Sequence, residues 1–320
     1  MQTYDRLVTV FGGSGFVGRH VVRALARRGF RVRVAVRRPD LAGHLQPLGA
    51  VGQIHAVQAN LRYPDSVKQA VAGAEIVINC VGILYETGRQ KFDSVQARGA
   101  GAVAKAAAEA GARLIHISAI GADAASSALY AQTKAAGEAA VLKEAPDAVI
   151  LRPSIVFGPE DDFFNRFAGL AQMSPALPLI GGGETKFQPV FVGDVAQAVM
   201  AAVEGRTKPG AVYELGGPSV KSFRDLMEFV LETIGRKRLL VPLPFGLARL
   251  QAKFLQLMPK PMLTVDQVEL LRSDNVVSES AKAEGRTLEG LGIHPQSVEA
   301  IVPTYLWRFR KQGQFAEQMR

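Results

Sequence analysis

Seven residues near the start of the chain, Gly12-Gly13-Ser14-Gly15-Phe16-Val17-Gly18, set glycines three apart just ahead of a helical pattern. In such a loop the first glycine permits a tight turn and the second lets backbone approach a pyrophosphate. The third lets the helix pack closely on the preceding strand, and the helix N-terminus then faces the anion. The context supports that chemistry over a glycine turn of purely structural use. The apolar run 7–11 precedes the loop, and in the stretch from Phe16 to Arg28 the residues Val17, Val21, Leu25 and Ala26 share one helical face.

The end of the next apolar run distinguishes the possible ligands. A fold that prefers NAD carries Asp or Glu there to bind the ribose 2′-hydroxyl. Here Val32–Val36 runs into Arg37, Arg38 and Pro39. A guanidinium suits a 2′-phosphate, which it can grip with two hydrogen bonds. Arg19, just past the loop, is a further candidate partner. NADPH is therefore the expected cofactor, the alternative being that Arg37 and Arg38 simply face solvent.

Other chemistry is sparse. Tyr130 and Lys134 stand four apart in a helical stretch and so share a face. Cys80 is the sole cysteine, which excludes an internal disulfide and suits a reducing compartment. Five scattered histidines show no metal-ligand spacing, so no metal is expected. The chain carries a net charge of +9, and nine arginines without one acid lie between Arg6 and Arg38. Part of that excess serves a phosphorylated ligand, and no nucleic-acid motif accompanies it. No nucleic-acid partner is expected.

The elements that must position these groups follow from periodicity. Strand patterns at Leu7–Phe11, Val32–Val36, Ile54–Val57, Ile76–Cys80, Leu114–Ser118 and Ala148–Leu151 alternate with helical ones at 16–28, 65–72, 92–110 and 127–143. Apolar strands separated by helices predict an α/β fold, a doubly wound parallel sheet with right-handed crossovers. After Arg152 the pattern changes. Residues 158–185 read as loop-rich. A helix follows from Asp194 to Val203, then a strand at Val212–Leu215, then helices over 222–234, 245–257 and 264–271. Thr264 and Gln267 form a capping box. A nucleotide-binding core of 1–160 with 187–216 and a smaller, mostly helical C-terminal cap of 161–186 with 217–320 are expected. No run of about 18 to 20 uncharged apolar residues occurs, so no membrane-spanning helix is expected, nor is a signal or transit segment.

At this point the chain resembles the extended or atypical short-chain dehydrogenase/reductases, the NAD-dependent epimerase/dehydratase-like group with a Rossmann core. The resemblance rests on the glycine loop, 79–82, Tyr130 with Lys134, 151–159, 188–195 and 213–217. Further stretches, 116–121, 157–165, 263–268, 274–277 and 303–306, are similar to one subgroup: the NADPH-binding, dehydrogenase-like accessory subunits of respiratory complex I and their bacterial relatives.

The resemblance implies that Tyr130 is a general acid/base and that Lys134 lowers its pKa and binds the nicotinamide ribose. It implies a cofactor site of Gly12, Gly13, Ser14, Gly15, Phe16, Val17, Gly18, Arg19, Arg37, Arg38, Asn60, Leu61, Cys80, Val81, Gly82, Ser118, Tyr130, Lys134, Pro153 and Ile155. Two departures count against turnover. Ala119 stands where relatives carry the Ser or Thr that holds the substrate oxygen, with Ser118 one residue early and turned to the other face of its strand. Gln96 stands in the place of a relay asparagine. Ser126 and Ser127 are possible substitutes for the missing hydroxyl.

The resemblance further implies a structural NADPH, complex I subunits and a membrane surface as partners, and residence on the cytoplasmic face of a bacterial inner membrane. Leu247, Leu250, Phe254 and Leu257, interspersed with Arg249 and Lys253, suit such a surface, as do Tyr305, Leu306, Trp307 and Phe309 among basic residues. Core-facing helices are the alternative for both. The rival function is an NADP-dependent reductase, epimerase or dehydratase for a sugar nucleotide, quinone or lipid-like substrate.

Overall fold

A computed structural model describes residues 6–258 and 261–311. In chain order its strands are β1 (Leu7–Phe11), β2 (Arg31–Val36), β3 (Ile54–Gln58), β4 (Ile76–Asn79), β5 (Arg113–Ile117), β6 (Val149–Pro153), β7 (Val156–Phe157), β8 (Ala176–Ile180), β9 (Lys186–Phe187), β10 (Val190–Phe191), β11 (Val212–Leu215), β12 (Lys221–Ser222) and β13 (Leu239–Leu243). The helices used below are α1 (Phe16–Arg27), α2 (Pro64–Val71), α3 (Arg98–Glu109), α4 (Leu129–Glu144), α5 (Phe164–Met173), α6 (Val192–Val203), α7 (Phe223–Thr233), α8 (Phe245–Leu255) and α9 (Val265–Leu270).

The chain divides into two units. The first comprises the described residues up to Pro153 with Gly193–Leu215 and Glu279–Ile293. Its sheet has seven strands in the order β11-β6-β5-β4-β1-β2-β3, and each neighbouring pair is parallel. This is the doubly wound α/β sheet that the alternating pattern predicts. Ile76, Val77 and Ile78 are all buried, as a central parallel strand covered on both faces requires. On one face Val77 and Leu114 pack against Val103, Ala104 and Ala107 of α3 and Val141 of α4. The strand order reverses between β1 and β4, the crevice where sheets of this kind take their ligands.

The second unit comprises Ser154–Val192, Gly216–Ser278 and the described residues from His294 onward. Phenylalanines dominate its core, with Phe157, Phe163, Phe164, Phe167, Phe187 and Phe223 in mutual ring contact. Asp161, buried in this core, accepts hydrogen bonds from the Tyr305 hydroxyl and from the amides of Gly158 and Asn165. Burial pushes the Asp161 carboxyl above the ordinary range. The stretches 157–165 and 303–306, quoted above as separate similarities, thus touch.

The loop-rich reading of 158–185 is corrected here. Phe164, Ala168 and Ala171 bury one stripe of α5, and Leu177 and Leu179 bury one face of β8. β8 pairs in parallel with β13, likewise absent from the sequence reading. Pro178 and Pro242 hid both strands, because proline demotes a strand pattern. A two-stranded ribbon tolerates them on its unpaired side. The capping box predicted for α9 is present, Gln267 N donating to Thr264 Oγ1 and Thr264 N to Gln267 Oε1. Among the described residues no helix is long and apolar enough to cross a membrane.

Candidate functional site

The glycine loop leaves the carboxyl end of β1 with Gly12 at φ +73°, a conformation that side chains disfavour. Gly15 N donates to Gly12 O at 3.0 Å and closes the turn. A Cβ on Gly18 would stand 2.2 Å from Gly12 O, so only glycine lets α1 lie this close to the turn. Gly13 is buried, and a Cβ there would meet Val34 Cγ1 at 2.8 Å. Gly15 differs from these. It is exposed at the N-cap of α1, with ordinary backbone angles, and a Cβ would meet only Gly12 O, at 3.2 Å. The first turn of α1 has neither a side-chain cap nor an acid, so its amides remain available to an anion.

Beside this loop lies a cavity of about 350 Å³. Ten of the residues expected at the cofactor line it: Gly12, Ser14, Gly15, Arg37, Arg38, Asn60, Leu61, Cys80, Val81 and Gly82. Gly13, Phe16, Val17, Gly18 and Arg19 do not line the cavity. Ser118, Tyr130, Lys134 and Pro153 lie outside that lining, and Ile155 belongs to the second unit. Residues that the sequence reading missed also line it, among them Leu41, Arg62, Gln90 and Val95. None stands in a motif; only its proximity to Asn60 and Leu61 singles out Arg62.

The arginines are not equivalent. Arg37 is exposed, and among the described residues no acid pairs with it. Arg38 is turned back on Asp40, with Nε and Nη2 donating to the carboxylate at 3.0 and 2.6 Å. That pairing holds the Asp40 carboxyl below its usual range. Arg19 donates to the carbonyls of Gly15 and Ser14, each at 3.3 Å, so it braces the loop.

Tyr130 and Lys134 share one face of α4, with Lys134 Nζ 5.9 Å from the centre of the Tyr130 ring. The half-buried Tyr130 ring meets Phe92 edge-on. Lys134 is buried; its Nζ donates to Ile117 O at 3.3 Å and lies 3.5 Å from where a Cβ on Gly82 would stand. Burial pushes its pKa down to about 8. Burial also lifts the Cys80 thiol to about 12 and lowers His116 to about 3, so neither is charged near neutrality. Asn79 Oδ1 accepts from Val81 N, which leaves Asn79 Nδ2 to donate to His116 Nδ1. The His116 proton therefore belongs on Nε2.

Ser118 is 4% exposed and its hydroxyl oxygen is shielded, with no hydrogen-bond partner. Ala119, next along, is half-buried. Gln96 sits on a π-helical turn, and its Nε2 donates to Ile83 O at 2.9 Å, bracing the loop after β4. Ser126 Oγ accepts from Ala128 N at 3.2 Å, while Ser127 is exposed.

Lys134 makes stability depend on pH in a definite direction. Its folded pKa near 8 lies below the ordinary 10.5, so between these values the unfolded chain binds more protons. Stability then rises with pH across that window, by at most about 1.4 kcal/mol per pH unit. Urea titrations of the ligand-free protein at pH 8 and pH 10 should show that gain. The Lys134→Met variant should lack it; an identical gain in both proteins would contradict this reading.

The profile of the NAD dependent epimerase/dehydratase family matches residues 8–216. Over 320 residues the chain is 36% identical to the mitochondrial NADH dehydrogenase [ubiquinone] 1 alpha subcomplex subunit 9 of Arabidopsis thaliana, covering 96% of this chain and 79% of the relative. It is 33% identical over 240 residues to a ceramide reductase of Caulobacter vibrioides, covering 74% of each. Among solved structures, an NADPH-dependent quinone oxidoreductase of Escherichia coli complexed with NADPH aligns with a TM-score of 0.73 at 19% identity, over 93% of this chain and 99% of that one. At that identity the likeness is one of fold.

Proposed function

The chain belongs to the NAD dependent epimerase/dehydratase family, and from that premise we propose that it is an NADPH-holding accessory or assembly subunit of a membrane-bound NADH:quinone oxidoreductase, its cofactor structural. The observation that carries this reading is a glycine loop and uncapped helix N-terminus beside a cavity of dinucleotide scale, set against a catalytic set that the resemblance leaves incomplete. The loop, the cavity and Lys134 fit a bound dinucleotide. By the resemblance, the position that should supply a substrate-holding hydroxyl is Ala119, the neighbouring Ser118 hydroxyl is buried, and Ser126 and Ser127 are left as the substitutes to test. A nicotinamide held there would supply hydride chemistry. Without an oriented donor at the substrate oxygen, a rate would fall by roughly 100- to 1000-fold. The likeness to the plant subunit along 96% of the chain supports the same reading.

Residence on the cytoplasmic face of a bacterial inner membrane, with complex I subunits as partners, belongs to this proposal. The outward side of α8 favours a membrane surface. Ala248 and Ala252 are buried, while Leu247, Leu250 and Phe254 are 55%, 53% and 68% exposed. No acid lies between Arg236 and Thr264, where six lysines and arginines do. The other segment read as a surface does not contribute equally, since Tyr305 and Leu306 are core residues.

Retention of Tyr130 and the likeness to a ceramide reductase favour the second reading, an NADP-dependent reductase for a lipid-like substrate. Assays decide between the two. Purified protein should oxidise NADPH negligibly with sugar-nucleotide, aldehyde, quinone or long-chain ketone substrates, and deletion of the gene should weaken complex I assembly. Lys134→Ala should raise the NADPH dissociation constant about 10-fold, one lost hydrogen bond to the ribose. A turnover of about 1 to 1000 per second, abolished in Tyr130→Phe, would establish the reductase instead.

A further inference from the structure

Resting on the NADPH reading above, we infer that the second guanidinium for the 2′-phosphate comes from Arg62, twenty-five residues beyond Arg37, and that Arg38, its sequence neighbour, contributes little. The basic pair at 37–38 invites the opposite assignment. The geometry separates them: Arg38 turns Nε and Nη2 to the exposed Asp40 carboxylate, which offsets its charge at the rim, whereas among the described residues no acid faces Arg62.

Arg62 reaches the cavity from the neighbouring strand. β2 and β3 are parallel neighbours with Val36 opposite Gln58, and Ala59 N donates to Val36 O at 2.8 Å just past that pair. The loops carrying Arg37 and Arg62 therefore leave the carboxyl ends of adjacent strands side by side, and both arginines line the cavity. Arg62 is half-buried and held in place. Asn60 Oδ1 accepts from its backbone N at 3.2 Å and from its Nε at 3.4 Å, and its guanidinium lies 5.7 Å from the Tyr63 ring centre. Asn60 is itself anchored, its N donating to Ser66 Oγ at 3.0 Å. Among the described residues no acid pairs with Arg62, so its two terminal nitrogens are available to a ligand. A phosphate monoester carries about −1.5 to −2 near neutrality, which Arg37 and Arg62 balance, while the Arg38–Asp40 pair adds no net charge.

Arg62→Gln and Arg38→Gln each remove one positive charge from the same rim, so any difference between them reports contact and not general attraction. Calorimetric titration of the full-length protein with NADPH and with NADH gives the ratio of the two affinities. Arg62→Gln should cut the NADPH:NADH ratio about 10-fold with NADH binding unchanged, the loss expected of one charge-assisted contact. Arg38→Gln should change the ratio less than about 3-fold by the same argument. Adenosine 2′,5′-bisphosphate should follow NADPH, and adenosine 5′-monophosphate should follow NADH. An equal loss of NADH and NADPH affinity in Arg62→Gln would mean stacking on the adenine and overturn the assignment. So would an Arg38→Gln effect as large as that of Arg62→Gln. Equal affinities of the unmodified protein for NADPH and NADH would remove the NADPH reading itself, and this inference with it.

Discussion

Arg37→Asp is expected to bind NADH at least as tightly as NADPH, reversing the NADPH preference proposed for the unmodified protein. Arg37 leaves the carboxyl end of β2, lines the cavity and meets no acid among the described residues. Its guanidinium is therefore available to a 2′-phosphate, and a charge-assisted, two-point contact contributes about 1.5 to 3 kcal/mol. The aspartate removes that contact, adds repulsion toward the phosphate and offers the ribose 2′-hydroxyl the carboxylate that NAD-preferring folds supply. The combined swing in the NADPH:NADH ratio should be about 100-fold or more, a difference of about 2.7 kcal/mol. Calorimetric titrations of both proteins with both nucleotides measure it directly. Equal affinities in the unmodified protein, or an unchanged ratio in the variant, would contradict the role given to Arg37.

Gly15→Val should remove NADPH binding, a loss of at least about 100-fold in affinity, at a smaller cost in stability than substitution at Gly18. The structure separates this glycine from its neighbours. A side chain at Gly18 would collide with Gly12 O at 2.2 Å, so substitution there attacks the packing of α1 on the turn and hence the protein itself. At Gly15 the backbone is in an ordinary extended conformation and a Cβ meets one atom at 3.2 Å. Valine therefore requires the turn at Gly12 to give by a few tenths of an ångström, a far smaller intrusion than at Gly18, and its branches occupy the space at the helix N-terminus that the pyrophosphate needs. Thermal unfolding without ligand should still be cooperative and lie above that of Gly18→Val, and calorimetry with NADPH should show no saturable heat. Full NADPH affinity in a folded Gly15→Val protein would mean that the phosphates lie elsewhere.

Local and periodic features were readable from the chain alone. The glycine spacing, the alternation of apolar strands with helices, the Thr264–Gln267 cap and the shared face of Tyr130 and Lys134 each involve residues within a few positions of one another. Backbone geometry alone converts such spacing into structure: three-residue steps through a turn, four-residue steps along a helix, two-residue steps along a strand. Ser118 belongs here as well. Its offset from the expected hydroxyl predicts an inward side chain, and its oxygen is shielded.

What periodicity cannot encode is which distant segment a given face will meet. Asp161 and Tyr305 are 144 positions apart, and nothing near either names the other as partner. The segment Glu279–Ile293 returns to the sheet unit, where Glu214 N donates to Arg286 O and the Arg286 side chain reaches Val212 O. An isolated helix of five residues, Glu279–Ala283, carries no sign of that destination. The same holds at the cavity. Arg37 and Arg38 are adjacent in the chain, yet the turn at Pro39–Leu41 sets Arg38 against Asp40, while the β2–β3 register brings Arg62 to the rim beside Arg37. Chain order supplied Arg37, Arg38 and Arg19 as candidates for charge recognition and passed over Arg62. Pairing between strands decides which arginines stand at the rim, and nearby carboxylates decide which of them already have a partner, neither of which spacing along the chain encodes.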